Sequence, residues 1–552
     1  MTSSAELLSV GENLFSEGKF EEAIKVLKSI LESQSDNDQI YFLIGRCYDK
    51  LKQFEESAKC YLKAINIDSS NTSYFINMGV CQYNMGRYEE AIKYFDQGST
   101  KEKKDPSLYL NKGVALNRLS RFEEAIKVFD MGIRLAANDS SLHNNKGVSL
   151  FRLKRYLEAI ECYDKAININ KKDTLPINNK GVALKNLKKY MDALEMFDLA
   201  IKINPNEAVS YYNKGNTYKL MGKNKEAIEN YDKAIAIDAR YTTAYFNRGL
   251  ANINLGNFQQ SIADFNKAIE ITPKYPQALL HRGIAYDILG KTNVAVENFD
   301  KAIEIFPEYA EAYFNKGIAL YNQSKFEDAI QNYDLAIKNM KNFPSAYNNK
   351  GVSLFKLGKF NEAIEMYDKT IEVDPKYLDA YINKGVCLKQ LKKCDEALKE
   401  YDKAIKINKN YPMAYYNKGL TFFEMKKYNE ALEEFNLALE IKKDYSSAEF
   451  NKGSVYIELG KYDEAIECFE RCKKIKGKDD EANEQIELCK KAKAEQPKKE
   501  EPKENIKEEK KKEELPPIVN SKEPSEQSKT PTKKKVVKKV VKKVVKKKKP
   551  NE

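Results

Sequence analysis

Apolar residues recur along most of the chain in a pattern that predicts paired amphipathic helices. From residue 4 to residue 479, one arrangement of apolar and polar positions returns every 34 residues, fourteen times, without insertion or deletion. Within each copy, apolar residues spaced three and four apart form two successive stripes, and this spacing places side chains on one face of a helix. The sequence therefore predicts two helices per repeat, each with one buried face.

A glycine occupies the eighth position of all fourteen copies, which helps to define the repeat. With positions numbered 1 to 34, the repeats start at residues 4, 38, 72, 106, 140, 174, 208, 242, 276, 310, 344, 378, 412 and 446. Small residues at positions 8 and 20 let two helix backbones approach closely. Glycines near position 15, such as Gly222 and Gly256, are typical of a left-handed residue that ends a helix. A fixed period of this length indicates a solenoid, because each repeat buries its apolar face against its neighbours.

The repeat resembles that of the tetratricopeptide repeat (TPR) family. The shared features are glycine at position 8, alanine at 20 and 27, aromatic residues at 4 and 24 and, in some repeats, proline at 32. Examples are Tyr211, Ala125, Phe197, Ala166 and Pro205. The chain departs from the family pattern at position 4, where tryptophan is absent, and in some copies of positions 17 and 20.

The resemblance implies an all-α fold, a right-handed α-solenoid (superhelix) of fourteen helix-turn-helix units over residues 4–479. It also implies that the first helices of the repeats line a concave groove, with positions 2, 5, 6, 9 and 12 facing into it. Residues 480–493 are interpreted as one further amphipathic helix that caps the array, with Ala482, Ile486 and Cys489 directed inward.

An asparagine recurs at position 6, one of the groove positions. It is present in repeats three to eight and ten to fourteen, while His281 replaces it in repeat nine. These eleven residues, the asparagine ladder, are Asn77, Asn111, Asn145, Asn179, Asn213, Asn247, Asn315, Asn349, Asn383, Asn417 and Asn451. An amide can both donate to and accept from a peptide backbone, so the ladder is a candidate site for an extended peptide. The alternative is that each asparagine bonds locally within its own helix.

The groove is also similar to the repeat region of the O-linked N-acetylglucosamine transferases, which has such an asparagine ladder, but the chain has no room for their catalytic domain. Only two histidines occur, His143 and His281, in repeats five and nine, which are too far apart to share a site. No phosphate-binding loop and no Ser–His–Asp arrangement is present. We therefore expect no enzymatic activity, no catalytic or metal-binding residues, no cofactor and no small-molecule substrate.

Charged residues at positions 7 and 25 are interpreted as structural pairs. In repeats four to fourteen position 7 is always basic, and position 25 is acidic in nine of these eleven repeats. A basic row by itself would invite an acidic ligand. Partners that occur together instead favour an ion pair between helices, with the lysine stem packed on apolar surface. Repeat three is an exception, because Asp96 occurs there without a basic residue at position 7.

A carboxylate clamp for chaperone C-termini, known in the family, is not expected. The clamp needs an asparagine at position 9, and only Asn216 provides one, with Asn247 at position 6 of the next repeat. The cations that would hold the carboxylates are missing, because Tyr212, Gln277 and His281 stand in their places.

Aromatic residues at groove positions 5 and 12 have two interpretations. They could anchor the side chains of a bound peptide or pack on the adjacent repeat. They are Phe246, Phe314 and Tyr416 at position 5, and Tyr83, Phe151, Tyr321, Phe355 and Phe423 at position 12.

Cysteine usage and hydropathy indicate a cytoplasmic protein. The nine cysteines lie mainly at positions 10 and 23, where a small apolar residue is needed, which favours reduced thiols over metal or redox chemistry. No run approaches eighteen apolar residues, and the first residues lack the basic region and apolar core of a signal peptide. We expect a protein that is neither secreted nor membrane-spanning, with the nucleus as an alternative location through its lysine-rich tail.

Residues 494–552 differ from the repeats in composition and charge. They contain 20 lysines and 11 glutamates, no aromatic residue, and nine of the twelve net positive charges, as is typical of a disordered tail. Within residues 533–549 the lysines are Lys533, Lys534, Lys535, Lys538, Lys539, Lys542, Lys543, Lys546, Lys547, Lys548 and Lys549. This segment is interpreted as a nuclear import signal, as an electrostatic contact to nucleic acid, acidic tubulin tails or anionic membrane, or as a solubilising tail without a dedicated partner.

These observations favour a non-catalytic scaffold or adaptor that binds an extended peptide or a partner protein in the concave groove. One alternative is a tether to nucleic acid, microtubules or anionic membrane through the basic tail, with the solenoid as a spacer. A second is a regulatory subunit of a separate enzyme, such as a glycosyltransferase.

Overall fold

The computed structural model describes residues 4–32, 35–101, 105–477 and 479–495. These residues form 29 α-helices, which confirms the predicted all-α solenoid with two helices per repeat. The chain divides into two compact units at residue 257. The lysine-rich segment 533–549, like the rest of residues 496–552, lies outside the described residues.

The first unit contains helices α1 to α15. Their bounds are α1 Ser4–Ser16, α2 Phe20–Leu31, α3 Asp38–Lys50, α4 Phe54–Ile67, α5 Thr72–Asn84, α6 Tyr88–Ser99, α7 Pro106–Arg118, α8 Phe122–Leu135, α9 Ser140–Arg152, α10 Tyr156–Ile169, α11 Thr174–Asn186, α12 Tyr190–Ile203, α13 Ala208–Leu220, α14 Asn224–Ile237 and α15 Thr242–Leu255.

The second unit contains helices α16 to α29. Their bounds are α16 Phe258–Ile271, α17 Pro276–Ile288, α18 Thr292–Ile305, α19 Ala310–Asn322, α20 Phe326–Asn339, α21 Pro344–Lys356, α22 Phe360–Val373, α23 Leu378–Gln390, α24 Cys394–Ile407, α25 Pro412–Glu424, α26 Tyr428–Ile441, α27 Ser446–Glu458, α28 Tyr462–Lys476 and α29 Asp480–Glu495.

Odd-numbered helices up to α27 are the first helices of the repeats, and they form the inner side of each unit. Within a unit, every helix packs on the next one in sequence, and consecutive odd-numbered helices also contact each other. Consecutive even-numbered helices, in the described part of the chain, make no comparable contact. Each unit therefore curves with its odd-numbered helices on the concave side, where the sequence places the asparagine ladder.

In most repeats, position 8 is glycine because the aromatic ring at position 24 of the same repeat fills the space of a side chain, and in repeat one Leu27 fills it. A Cβ added to Gly181 would lie 2.6 Å from Cε1 of Phe197, and one added to Gly351 would lie 2.6 Å from Cε1 of Tyr367. Both rings are fully buried, at 0% exposure. The glycine thus sets the distance between the two helices of a repeat.

Position 15 has left-handed backbone in all fourteen repeats, which confirms the predicted turn. Seven of these residues are glycines, such as Gly222 with a φ of 74°, and seven are lysine or serine, such as Lys188 with a φ of 61°. The Lys188 amide donates to the carbonyl oxygen of Lys185 at 2.9 Å, so the turn is closed whichever residue is present.

The last helix, α29, covers the open side of α28. Its buried residues are Ala482, Ile486 and Cys489, which pack with Ala465 and Phe469 of α28 in one apolar cluster. Repeat fourteen therefore has a covered apolar face although no further repeat follows it.

Candidate peptide-binding groove

The asparagine ladder lies on the first helices of the repeats, and its residues differ in burial. Asn349, Asn383 and Asn417 are buried, with exposures of 0%, 0% and 1%. The remaining eight are half-buried: Asn77, Asn111, Asn145, Asn179, Asn213, Asn247, Asn315 and Asn451. Six half-buried ladder residues are consecutive in the first unit, from repeat three to repeat eight. This stretch is the part of the ladder that a ligand could reach most continuously.

Six ladder amides bond within their own helix, as one of the two sequence interpretations predicts. Each donates from Nδ2 to the carbonyl oxygen four residues earlier. The six are Asn77, Asn145, Asn247, Asn315, Asn417 and Asn451, with distances of 2.7–2.9 Å. Such a bond uses one of the two Nδ2 hydrogens, and an amide oxygen can accept two further bonds. An amide that bonds only within its own helix can therefore still form hydrogen bonds to a ligand.

Some ladder amides also connect successive repeats. The Nδ2 atom at position 6 donates to the side chain at position 5 of the preceding repeat, and we call this contact a rung. Four rungs are formed: Asn179 to Asn144 Oδ1 at 2.9 Å, Asn247 to the Tyr212 hydroxyl at 3.0 Å, Asn383 to Asn348 Oδ1 at 3.1 Å and Asn451 to the Tyr416 hydroxyl at 3.1 Å. Sequence reasoning missed this role, although an asparagine or tyrosine at position 5 was its signal.

The charged residues at positions 7 and 25 form ion pairs between repeats. The predicted pairing is confirmed, but its register is corrected, because position 7 of one repeat meets position 25 of the preceding repeat. The nine pairs are Lys112–Asp96, Lys146–Asp130, Lys180–Asp164, Lys214–Asp198, Arg248–Asp232, Lys316–Asp300, Lys350–Asp334, Lys384–Asp368 and Lys418–Asp402. The register explains Asp96, whose partner lies in repeat four.

These pairs keep the basic row at position 7 from acting as an open anion site. The basic side chains are only 16–23% exposed, whereas their acidic partners are 41–57% exposed. The cation stems are packed along apolar surface and each charge is already matched by a carboxylate.

Removing one acidic partner is expected to have a small, local effect. Asp232 Oδ1 lies 2.5 Å from Arg248 Nη1, and the carboxylate side chain is 52% exposed. We expect Asp232→Ala to lower the free energy of unfolding by about 0.2–1 kcal/mol, because solvent screens an exposed pair. Thermal melting measures the change, with Glu229→Ala, an exposed glutamate on the same helix, as control. Identical melting of the two variants would contradict a stabilising pair.

The aromatic residues at positions 5 and 12 mainly pack within the solenoid. Phe314 and Tyr416 at position 5 are buried and lie 4.7 Å and 5.0 Å, ring centroid to centroid, from Phe343 and Tyr445 at the ends of their repeats. All five position-12 rings contact the aromatic residue at position 17 of their own repeat, at 5.2–6.0 Å. Packing is therefore the role that the structure shows for these rings.

Three of the residues considered for a carboxylate clamp, Asn216, Asn247 and Tyr212, form hydrogen bonds within the solenoid. The Asn216 Oδ1 atom accepts a hydrogen bond from the Tyr231 hydroxyl at 2.8 Å. Asn247 binds both Tyr212 and Lys219, whose Nζ donates to Asn247 Oδ1 at 2.5 Å. These contacts describe a polar network between repeats seven and eight.

Burial raises the pKa of the cysteine thiols. All nine cysteines are free thiols, and burial raises the pKa of Cys47 to about 11. The described residues contain no group of three or more His, Cys, Asp or Glu side chains placed to hold a metal ion. Among the described helices, none combines the length and the apolar character that a membrane span needs.

Comparison with known proteins relates the sequence to one family of repeats. Models of the tetratricopeptide repeat match residues 14–75, 79–140, 140–173, 177–207, 196–229, 242–275, 344–377, 412–445 and 446–479, and a model described as TPR repeat matches residues 215–256, 288–324 and 388–426. Together these matches cover more than half of the chain. No curated protein matches the sequence.

Comparison with solved structures finds chains of low sequence identity. The APC/C hetero-tetramer Cut9–Hcn1 is 13% identical over 88% of this chain and 96% of that chain, with a TM-score of 0.41. Yeast Tom70 is 19% identical over 79% and 95%, with a TM-score of 0.37. YrrB, described as a TPR protein with an unusual peptide-binding site, is 25% identical over 33% and 94%, with a TM-score of 0.30.

Proposed function

Because the chain belongs to the tetratricopeptide repeat family, whose arrays present concave binding surfaces, we propose that it is a non-catalytic scaffold or adaptor. Its ligand is an extended peptide segment of a partner protein, which lies along the concave face. The observation that carries the proposal is the row of six consecutive half-buried ladder residues in the first unit, from Asn77 to Asn247.

The spacing of the ladder suits an extended backbone. Packed neighbouring helices lie roughly 8–10 Å apart, and an extended chain advances about 3.3 Å per residue. Successive ladder amides would therefore meet about every third peptide unit. Backbone recognition of this kind tolerates many sequences, because every peptide unit offers the same N–H and C=O groups.

Burial limits the proposed surface to part of the array. Asn349, Asn383 and Asn417 are buried and bond to neighbouring helix atoms, so we assign them to the packing of repeats eleven to thirteen. The peptide would occupy repeats three to eight.

The alternative function, a regulatory subunit of a separate enzyme, would use the same face. It would differ only in that the partner protein is an enzyme.

Replacing three ladder residues should abolish most peptide binding. We expect the full chain to select extended peptides from a display library of random 12-residue sequences. The variant with Asn77, Asn111 and Asn145 changed to alanine should bind the selected peptides roughly 100-fold more weakly, at about 1 kcal/mol for each lost hydrogen bond. These three residues form no rung, so their replacement spares the contacts between repeats.

The control variant changes three exposed asparagines of even-numbered helices to alanine: Asn66 and Asn168 at position 29 and Asn339 at position 30. It should bind as tightly as the natural chain, and binding should persist at about 0.3 M salt because neutral hydrogen bonds carry it. Equal affinities for the ladder and control variants would contradict the groove proposal. Binding that falls steeply with salt and ignores the ladder would instead favour a tether through the basic tail.

A further inference from the structure

Lys185, at position 12 of repeat six, is a mostly buried cation on the proposed binding face. Among the residues that the structure describes, no acid is placed to pair with its ammonium group, and burial alone lowers its pKa. Other lysines at position 12 have partners: Lys219 donates to Asn247, and Lys389 lies 3.5 Å from the carboxylate of Glu424. Lys185 thus differs from its equivalents in lacking an acceptor.

The rung expected beside Lys185, from Asn213 to Asn178, is not formed. By the register of the four rungs, Asn213 would donate to Oδ1 of Asn178. Asn178 instead donates from Nδ2 to Glu207 at 2.7 Å and to the Ser210 hydroxyl at 2.9 Å, while its Oδ1 atom is buried with no hydrogen-bond partner in the described structure. The side-chain amide of Asn213 makes none of the hydrogen bonds found for the described ladder residues around it.

The next repeat shows that these three positions meet. There, Asn247 at position 6 binds Lys219 at position 12 and Tyr212 at position 5 of the preceding repeat. The same positions one repeat earlier are Asn213, Lys185 and Asn178. Repeats seven and eight therefore satisfy internally the polar groups that repeats six and seven leave without partners.

We propose that Lys185, Asn213 and Asn178 form a subsite for an acidic side chain of the bound peptide. The peptide carboxylate accepts hydrogen bonds from the Lys185 ammonium and the Asn213 amide, and a peptide N–H donates to Oδ1 of Asn178. A charge-assisted bond to a largely desolvated lysine is stronger than a neutral one, so this subsite gives selectivity to a groove that otherwise recognises backbone. The inference rests on the proposed function, because it requires a peptide in the groove.

Exposed apolar residues flank the subsite. Leu175 and Val209, at position 2 of repeats six and seven, are 55% and 40% exposed, and Leu220 on the same helix as Asn213 is 46% exposed. Residues four apart on a helix share a face, so Val209 lies one turn from Asn213. The peptide that fits this surface has an aspartate or glutamate with apolar residues on either side.

Peptides selected by the full chain provide the test. Each is synthesised in its acidic form and with the acid changed to the matching amide, and both are measured against the natural chain and Lys185→Met, which removes the charge and keeps the apolar stem. We expect the natural chain to prefer the acid at least 10-fold and the variant to lose that preference. Lys202→Met, an exposed lysine in the same repeat, is the control and should keep it. The natural chain and both variants contain the basic tail, so any contribution of the tail to peptide affinity is the same in all three proteins.

A charge reversal gives a second measurement that a merely structural lysine would not affect. Lys185→Glu should select peptides with lysine or arginine at the position where the natural chain selects an acid. Unchanged acid preference in Lys185→Met, or selected peptides without enriched acidic residues, would overturn the subsite while the groove proposal stands. A natural chain that selects no peptides at all would overturn both.

Discussion

Phe197→Ala is expected to lower the free energy of unfolding of repeat six by about 3–5 kcal/mol. The ring is fully buried at position 24, packed with Leu184 and Ala193, and its loss leaves a cavity between the two helices of the repeat. Stability in a solenoid is largely a sum of repeat and neighbour contributions, so the loss should be concentrated in repeats five to seven. Native-state hydrogen exchange, read peptide by peptide, measures it.

The glycine opposite this ring supplies the matched test. An alanine in the interior of a helix is normally about 1 kcal/mol better than a glycine. Gly181→Ala should nevertheless destabilise repeat six by about 1–3 kcal/mol, because its Cβ would lie 2.6 Å from Cε1 of Phe197 in a packed core. In the Phe197→Ala background the same change should become neutral or stabilising. If Gly181→Ala costs the same with and without the ring, the steric explanation for the glycine is wrong.

Ile486→Asp is expected to detach helix α29 and expose the apolar face of repeat fourteen. Ile486 is 3% exposed and packs with Phe469 and Ala465 of α28. Burying a carboxylate among these residues costs several kcal/mol, so α29 separates from the array. We expect fast hydrogen exchange throughout α29 and faster exchange in α27 and α28, with the first unit unchanged.

Leu488→Asp is the matched control for this helix. Leu488 lies two residues further along α29 but is 48% exposed, so a carboxylate there stays in water. Its exchange pattern should equal that of the natural chain. Equal protection of α27 and α28 in the two variants would show that repeat fourteen does not depend on α29.

The predictions that depended on spacing within one repeat agree closely with the structure. Two helices per repeat, the left-handed residue at position 15 and the close approach at position 8 all follow from which residues recur within 34 positions. Even the repeats with lysine or serine at position 15 form the same turn, because the two packed helices impose it. A local pattern repeated fourteen times constrains the backbone more strongly than any single residue.

Contacts between repeats were predicted less completely. The ion pairing of positions 7 and 25 was recognisable because the two charges occur together, but their register connects neighbouring repeats. Asp96 was the signal: its pairing with Lys112 of the next repeat accounts for a residue that a pairing within one repeat leaves alone. The rungs from position 6 to position 5 were not recognised, because position 5 holds an asparagine or tyrosine acceptor in only some repeats and an apolar residue in the others.

The sequence by itself determined the α-solenoid, its fourteen-fold period and the row of asparagines, because these depend on periodic spacing, which a linear pattern displays directly. Only the tertiary structure decided which asparagines are buried, which connect repeats and which lysine lacks an acid. Asn383 and Asn213 occupy the same repeat position, yet the first is buried in a rung and the second is half-buried beside an open one. That difference arises from side-chain contacts between helices 34 residues apart, where one neighbouring group, such as Glu207 beside Asn178, redirects the hydrogen bonds.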